Sequence, residues 1–153
     1  MTANQKFAYC MNVHPTANFD DVLRNLRGSA SSIRRHLFTE NSAGDVDRLG
    51  VGLWLSDPVA QEIAASADKL QILRDTLTEC KLAAWTFNGF PQHNFHQTVV
   101  KHAVYEPTWS SPDRLRYTLQ LIDLMASLSE SSQTCSISTL PIGWPHAGVK
   151  NDE

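Results

Sequence analysis

The stretch LAAWTFNGFPQHNFHQTVVKHAVYEPTW, residues 82–109, decides how the rest of the chain is interpreted. It opens as an apolar strand at 82–87 and breaks at the segment NGFP, residues 88–91. The residues after the break are rich in histidine and aromatics, and they form a connection far longer than the few residues that usually follow a strand. Proteins of the α/β class build ligand sites in such loops, beyond the carboxyl ends of parallel strands. We therefore expect a binding site after this strand.

The composition is that of an ordinary one-domain protein. The chain has 153 residues, of which 42% are hydrophobic and 19% charged, so it is long enough to bury a core. A net charge of -3 provides no basic face for nucleic acid and no polybasic patch for a membrane surface. No apolar run approaches the ~20 residues of a membrane helix, and the amino-terminal segment is unlike a signal peptide. We therefore expect a cytoplasmic protein with no nucleic-acid partner and no membrane insertion.

The three cysteines support the same expectation. Cys10, Cys80 and Cys135 are odd in number, have no CxxC spacing and lie in or beside apolar segments. Thiols with these properties are typically reduced core residues in a reducing compartment. We predict that role for all three.

Strands and helices alternate along the sequence. Strands are predicted near 7–13, 49–55, 82–87 and 135–140, and helices over 19–37, 56–80 and 113–128. Alternation of this kind implies right-handed crossovers and a parallel sheet, so the fold class is α/β. No GxGxxG motif follows a strand, which leaves a dinucleotide-binding fold without support.

The helix boundaries follow from local signals. Asn18 is suited to cap the first helix, and Ser56 with Pro58 marks the start of the second. Small and polar residues near Ser66 predict a kink or break in that second helix. The third helix has apolar residues over a wide arc, so we expect it to be well buried.

Four polar residues are predicted at or just past the carboxyl ends of the strands: His14, Ser56, Asn88 and Thr139. In a barrel of parallel strands these positions face the active site. His14 has the chemistry of a ligand, a general base or a substrate-binding group, but it also suits a simple strand end beside Pro15. Asn88 fits a binding role and a turn with the following glycine equally well.

The loop residues offer two further kinds of chemistry. His93 and His96 have the i, i+3 spacing that metal sites use, but a third protein ligand is missing. We interpret Asp57 as a helix cap and Glu106 as a loop residue, so no metal site is predicted within the chain. The loop aromatics provide either an apolar wall for a greasy metabolite or a small core that pins the loop, and the second interpretation is favoured. These aromatics are Phe90, Phe95, Tyr105 and Trp109.

Three segments together resemble a known family. The strings YCMNVHP (9–15), TFNGFPQHNFHQTVVKHAVYEPTWSSPDRLRYT (86–118) and SISTLPIGW (136–144) look like the first half of the EboE-type metabolite traffic proteins. That family is similar to the xylose-isomerase-like TIM barrels, a superfamily of sugar isomerases, epimerases and other divalent-metal enzymes. The resemblance implies that residues 1–145 form the N-terminal half of a (β/α)8 barrel, followed by a polar tail at 146–153.

The resemblance also implies a function. We expect an accessory protein that transfers or exports a small biosynthetic metabolite, prenylated or not, and binds it over His14, Asn88, Phe90, His93 and His96. One alternative is a divalent-metal-dependent sugar isomerase or epimerase, whose metal would need carboxylates from later strands of a complete barrel. Another is a truncated, non-catalytic fragment completed by self-association or by a second-half chain. No cofactor is assigned, and whether the chain is an enzyme stays open at this point.

Overall fold

The computed structural model of the chain describes residues 8–38, 48–93, 104–129 and 133–142, and within these ranges strands alternate with helices as expected. The strands are β1 (Ala8–Cys10), β2 (Leu49–Leu53), β3 (Leu82–Asn88) and β4 (Ser136–Ser138). The helices are α1 (Phe19–Asn25), α2 (Ser31–Leu37), α3 (Asp57–Ala64), α4 (Ala67–Glu79) and α5 (Pro112–Leu128). The polar tail predicted at 146–153 lies outside the described residues.

The four strands form one parallel sheet in the order β1-β2-β3-β4, which confirms the predicted parallel sheet and the α/β class. Neighbours in sequence are neighbours in space, so each connection is a local crossover through a helix. The ladder between β2 and β3 slips by one residue, because Val51 pairs with Ala84 whereas Gly52 pairs with Thr86. Trp85 is the extra residue of this bulge.

Three strands are shorter than the sequence suggested: β2 ends at Leu53 instead of 55, and the other two are β1 and β4. β1 ends at Cys10 instead of 13, because Met11–Val13 turn into a short 3₁₀ helix immediately after the last pairing with β2. β4 covers 136–138 instead of 135–140, since only these residues pair with β3. The length of an apolar run therefore overestimates the length of a strand when only part of the run pairs with the neighbouring strand.

The helix predictions agree more closely with the structure. The Asn18 side chain accepts a hydrogen bond from the Asp21 amide at 3.0 Å and so caps α1 as predicted. A π-helical segment at Leu26–Ala30 joins α1 to α2, and the chain remains helical through the predicted span. The break predicted near Ser66 is confirmed, and Ser66 caps α4 through the Lys69 amide at 3.3 Å.

The apolar core lies between the helices and one face of the sheet. Val51, Leu53 and Phe87 are fully buried on that face, with Leu26 and Tyr117 among the helix residues that cover it. Burial of this apolar surface is the main stabilising term of the fold.

Two predictions about burial need correction. The third helix, α5, is buried on one side only: Leu115, Leu119 and Ile122 are exposed because no described element covers that side. The cysteines are free, but Cys10 is exposed and the other two are only partly buried, so Cys10 is not a core thiol. It lies on the face of β1 that none of the described helices covers. None of the helices in the described ranges is both long and apolar enough to cross a membrane.

Candidate functional site

The second face of the sheet has a different chemistry from the core face. One row of paired residues crosses all four strands: Cys10 with Gly52, Gly52 with Thr86, and Thr86 with Ser136. A Cβ atom on Gly52 would lie 3.0 Å from Thr86 Cγ2 and 3.7 Å from Cys10 Cα. The Oγ atoms of Thr86 and Ser136 lie 3.0 Å apart. These four small residues therefore share one face, which we call the open face.

The open face is accessible to solvent. Cys10 and Ser136 are exposed and Thr86 is half-buried, whereas Phe87 and Val51 on the opposite face are fully buried. The Thr86 and Ser136 hydroxyls bond each other, but each hydroxyl has one donor and two acceptor sites, so both keep capacity for a polar molecule beside the exposed Cys10 thiol. The open face is thus a polar surface of low relief in the middle of the sheet.

Asn88 lies one row closer to the carboxyl ends of the strands, where it pairs with Ser138. Its Nδ2 donates to the Gly52 carbonyl oxygen at 3.2 Å and makes a longer contact of 3.8 Å with Cys10 Sγ. Asn88 therefore reaches across the open face over β2 to β1. Its Oδ1 makes no hydrogen bond to the described residues and is left to accept one from a ligand.

Trp85 borders the open face, and Trp54 directly follows β2. At the amino-terminal side, the Trp85 ring occupies the space that a Gly50 side chain would fill, with a built Cβ only 2.0 Å from Trp85 Cε3. At the carboxyl-terminal side, Trp54 is buried outside the main core and donates its Nε1 proton to the Pro91 carbonyl at 2.8 Å. The two glycines of β2 thus permit the close approach that their sequence predicts.

His14 engages a different part of β1. Its Nε2 lies 2.7 Å from the Tyr9 Oη, and Tyr9 packs against the apolar core instead of the open face. His14 lies four residues beyond the end of β1 and Asn88 is the last residue of β3, instead of each directly following a strand, and their hydrogen bonds tie them to opposite faces of β1. A ligand role for His14 stays a prediction, with the Tyr9 hydroxyl holding one ring nitrogen.

The loop residues of the predicted site are distributed more widely. Phe90 stacks against Tyr105 with ring centroids 5.4 Å apart, and His93 is exposed. Trp109 donates its Nε1 proton to the Leu140 carbonyl at 2.9 Å. These contacts favour the interpretation in which aromatics pin the loop. His96 and Phe95 lie outside the described residues, and within the described ranges no three His, Cys, Asp or Glu side chains converge as metal ligands.

The prediction that Asp57 caps a helix is wrong. Asp57 is the first residue of α3, and its carboxylate accepts two hydrogen bonds from Arg116, at 3.0 and 2.6 Å. Gln92 Nε2 donates to it at 3.0 Å and Gln61 Nε2 at 2.9 Å. Burial raises the pKa of Asp57, but the hydrogen bonds from Arg116, Gln61 and Gln92 outweigh it, and the net result is a lowered pKa. The bidentate pair with Arg116 joins α3 to α5, and the hydrogen bond from Gln92 attaches the loop to α3.

Arg114, on α5, anchors the same loop by hydrogen bonds to its backbone. Nothing in the sequence analysis predicted this role. Arg114 is fully buried, and its guanidinium donates to the Gly89 carbonyl from Nη1 and to the Pro107 carbonyl from Nε, both at 2.9 Å. One side chain thereby ties together the start and the end of the long loop. Burial lowers the pKa of Arg114. The only sequence signal was a pair of arginines two residues apart in a helix start, which is equally typical of an exposed helix.

Comparisons with protein-family models, with curated proteins and with solved structures found no match to this chain. The candidate site therefore rests on the geometry of the open face and of the loop that borders it.

Proposed function

We propose that the protein binds a small, polar, hydroxyl-bearing metabolite on the open face and acts as a cytoplasmic accessory protein for the transfer or export of that metabolite. The observation that carries the proposal is the row of Cys10, Gly52, Thr86 and Ser136 across a four-stranded parallel sheet. Asn88 adds an acceptor oxygen at the carboxyl-terminal side, where parallel sheets bind their ligands. The accessory role itself comes from the resemblance to EboE-type proteins.

The chemistry of the face favours a polar metabolite over a prenylated one. The exposed groups along the row are a thiol and hydroxyls, which suit hydrogen bonds and provide little apolar area. The aromatics that a prenyl chain would need are engaged elsewhere, with Phe90 against Tyr105 and Trp109 bonded to Leu140. Trp85 borders the row at Gly50, and an aromatic ring beside a polar row is typical of sites for sugars and polyols.

We also propose that the sheet is the first half of a xylose-isomerase-like barrel. The four strands have the order and direction that the first half of such a barrel requires, with the described helices packed on one face. The open face would then line the barrel interior, and a second copy or a second-half chain would complete it. The isomerase alternative would draw its metal-binding carboxylates from that second half.

Calorimetric titration tests the binding proposal. The probes are a panel of free pentoses, hexoses and polyols, and we expect at least one to bind saturably. Asn88→Ala should weaken that binding by at least about 10-fold, because a hydrogen bond to a ligand oxygen is lost. Gln71→Ala, which removes an exposed amide from α4, is the matched control and should leave the affinity unchanged.

Two outcomes would contradict the proposal. One is the absence of saturable heat with every member of the panel, and the other is equal affinity in the Asn88→Ala variant and the wild type. The accessory role has its own test in cells, where Asn88→Ala should abolish export at unchanged protein level. Normal export by that variant would remove the open face from the function.

A further inference from the structure

The outer side of α5 carries an apolar stripe that none of the described elements covers. Leu115, Leu119 and Ile122 are 53%, 50% and 47% exposed. Their i, i+4, i+7 spacing places them on one side of the helix, pointing away from the core contacts of Tyr117 and Leu121. Three large apolar side chains next to each other on one helix form a continuous exposed patch, whereas exposed apolar residues on an ordinary surface are scattered singly.

The stripe borders a shallow groove. Leu115 and Leu119 line this groove together with Ala64 at the end of α3, and Arg116 and Asp123 form its charged margin. A small residue on one side and large ones on the other allow a second helix to lie close to α5.

The charged residues on this margin are complementary to the same residues on a second copy of the chain. Arg116 and Asp123 are seven residues apart on the same flank, about 10 Å along the helix axis. In an antiparallel pair of identical helices, each flank meets the same flank of its partner in reverse order. Arg116 of one copy would then face Asp123 of the other, and the two-fold axis would pass beside Leu119.

Both charged groups are available for this contact. Asp123 is exposed and makes no ion pair with the described residues. The Arg116 side chain is 44% exposed even while it holds Asp57 and has the exposed Asp113 carboxylate 3.7 Å from its Nε. A further carboxylate can therefore approach the outer edge of the guanidinium, which has five donors in a planar fork.

We propose that the protein forms a two-fold symmetric dimer in which α5 packs antiparallel against α5 of a second copy. The Leu115, Leu119 and Ile122 stripe forms the centre of the interface, and reciprocal Arg116 to Asp123 pairs lie at its margin. A second copy is the occupant that the reciprocal charges fit, because closed two-fold interfaces require a self-complementary patch. This surface lies on a helix and is separate from the open face.

The size of the contact determines how strong the dimer is. One helix of 17 residues spans about 25 Å and presents a single stripe, so it buries less than the ~800 Å² per partner of a standard stable interface. We therefore expect a dimer that forms with rising concentration.

Sedimentation velocity over a concentration series from about 5 to 500 µM tests the proposal. The wild type should shift from monomer to dimer, and Leu119→Lys should stay monomeric throughout. Ile72→Lys, at an exposed apolar residue of α4, is the matched control and should dimerise like the wild type. Asp123→Lys places like charges opposite Arg116 and should weaken dimerisation at least about 10-fold.

Cross-linking locates the axis. Oxidation of Leu119→Cys should produce a disulfide-linked dimer in high yield, whereas Ile72→Cys and the wild type should not. A wild type that stays monomeric over the whole series would overturn the proposal, as would a dimer that Leu119→Lys leaves intact. Leu119 and Ile72 are solvent-exposed positions, and circular dichroism of each variant verifies that it is folded.

Discussion

At the scale of single residues, Asp57 does the most to hold the candidate site in place. Its carboxylate accepts hydrogen bonds from Arg116 on α5, from Gln92 in the loop and from Gln61 on its own helix. The loop that covers the carboxyl end of β2 is therefore attached to two helices through one carboxylate. Removing that charge should loosen both attachments.

We expect Asp57→Asn to lower the free energy of unfolding by about 2 kcal/mol, below the full value for a buried pair because Arg116 is partly exposed. For a chain of this size that corresponds to a fall in melting temperature of about 4–8 °C. Asp113→Asn is the matched control, since Asp113 lies 3.7 Å from Arg116 Nε but is 70% exposed. Equal melting temperatures for the Asp57 variant and the wild type would show that the carboxylate is not a structural centre.

The lowered pKa of Asp57 also predicts a pH dependence. A carboxyl whose pKa is lower in the folded than in the unfolded state stabilises the fold above its ordinary value of 3.8. That stabilisation disappears as the pH falls through the folded pKa. The difference in unfolding free energy between wild type and Asp57→Asn should therefore be constant from pH 7 to 5 and should shrink below about pH 4. Urea unfolding at each pH measures it, and a constant difference down to pH 3 would contradict the assignment.

Sequence reasoning predicted the Asn18 cap and the helix break near Ser66, but it did not predict the Ser66 cap itself or the distant contacts. The caps Asn18 and Ser66 bond to amides three residues away, so the signal lies within one helical turn. Asp57 finds Gln92 and Arg116 at separations of 35 and 59 residues. No spacing rule connects residues that far apart, and the capping rule gave Asp57 the wrong role.

At the scale of elements, glycines set how closely the strands approach each other. A Cβ atom on Gly89, just after β3, would lie 2.7 Å from the Ser138 carbonyl oxygen and 3.2 Å from Ile137 Cγ2. The Gly89 amide donates to that same carbonyl at 2.9 Å. The backbone contact between Gly89 and Ser138 therefore leaves no space for a side chain at Gly89.

We expect Gly89→Ala to destabilise the protein by about 2 kcal/mol, because backbone atoms would have to move apart. Gly28 provides the opposite case: it is exposed and helical, and a Cβ there meets no atom within 4 Å. Gly28→Ala should stabilise by about 0.5–1 kcal/mol through helix propensity and a more restricted unfolded chain. Chemical denaturation of both variants tests the pair, and a neutral Gly89→Ala would show that the strands tolerate a side chain here.

The sequence was sufficient to predict that α5 is a helix, but not which of its sides is exposed. Caps and apolar spacing located α5 within one residue of its observed start. The same apolar residues, counted over the whole circumference, predicted a helix buried on most sides. The structure leaves Leu115, Leu119 and Ile122 uncovered, because coverage depends on neighbouring elements that a single helix sequence does not specify.

At the scale of the whole molecule, strand alternation was sufficient to predict a parallel sheet in sequence order. It was not sufficient to predict that one face would be polar. β1 and β4 pair over only three residues each, too few to show a two-residue period, and the bulge at Trp85 shifts the period within β3. The row of small residues becomes visible only when the strands are placed side by side.

Of the residues predicted for a ligand site, only Asn88 contacts the open face. Asn88 is the last residue of β3 and reaches across the open face, as a residue at a strand end should. Cys10, Thr86 and Ser136 gave no signal, because small residues within apolar strands look like ordinary core. His14 and Phe90 lie near the predicted region, but their partners are Tyr9 and Tyr105.

The most direct measurement of the central claim is an amide ¹H–¹⁵N titration of the labelled protein with the panel of pentoses, hexoses and polyols. We expect saturable shifts concentrated at Cys10, Gly52, Thr86, Asn88 and Ser136, and their loss in the Asn88→Ala variant. Shifts that map to the helical surface, or no saturable shift with any member of the panel, would contradict the assignment of the open face as a ligand site.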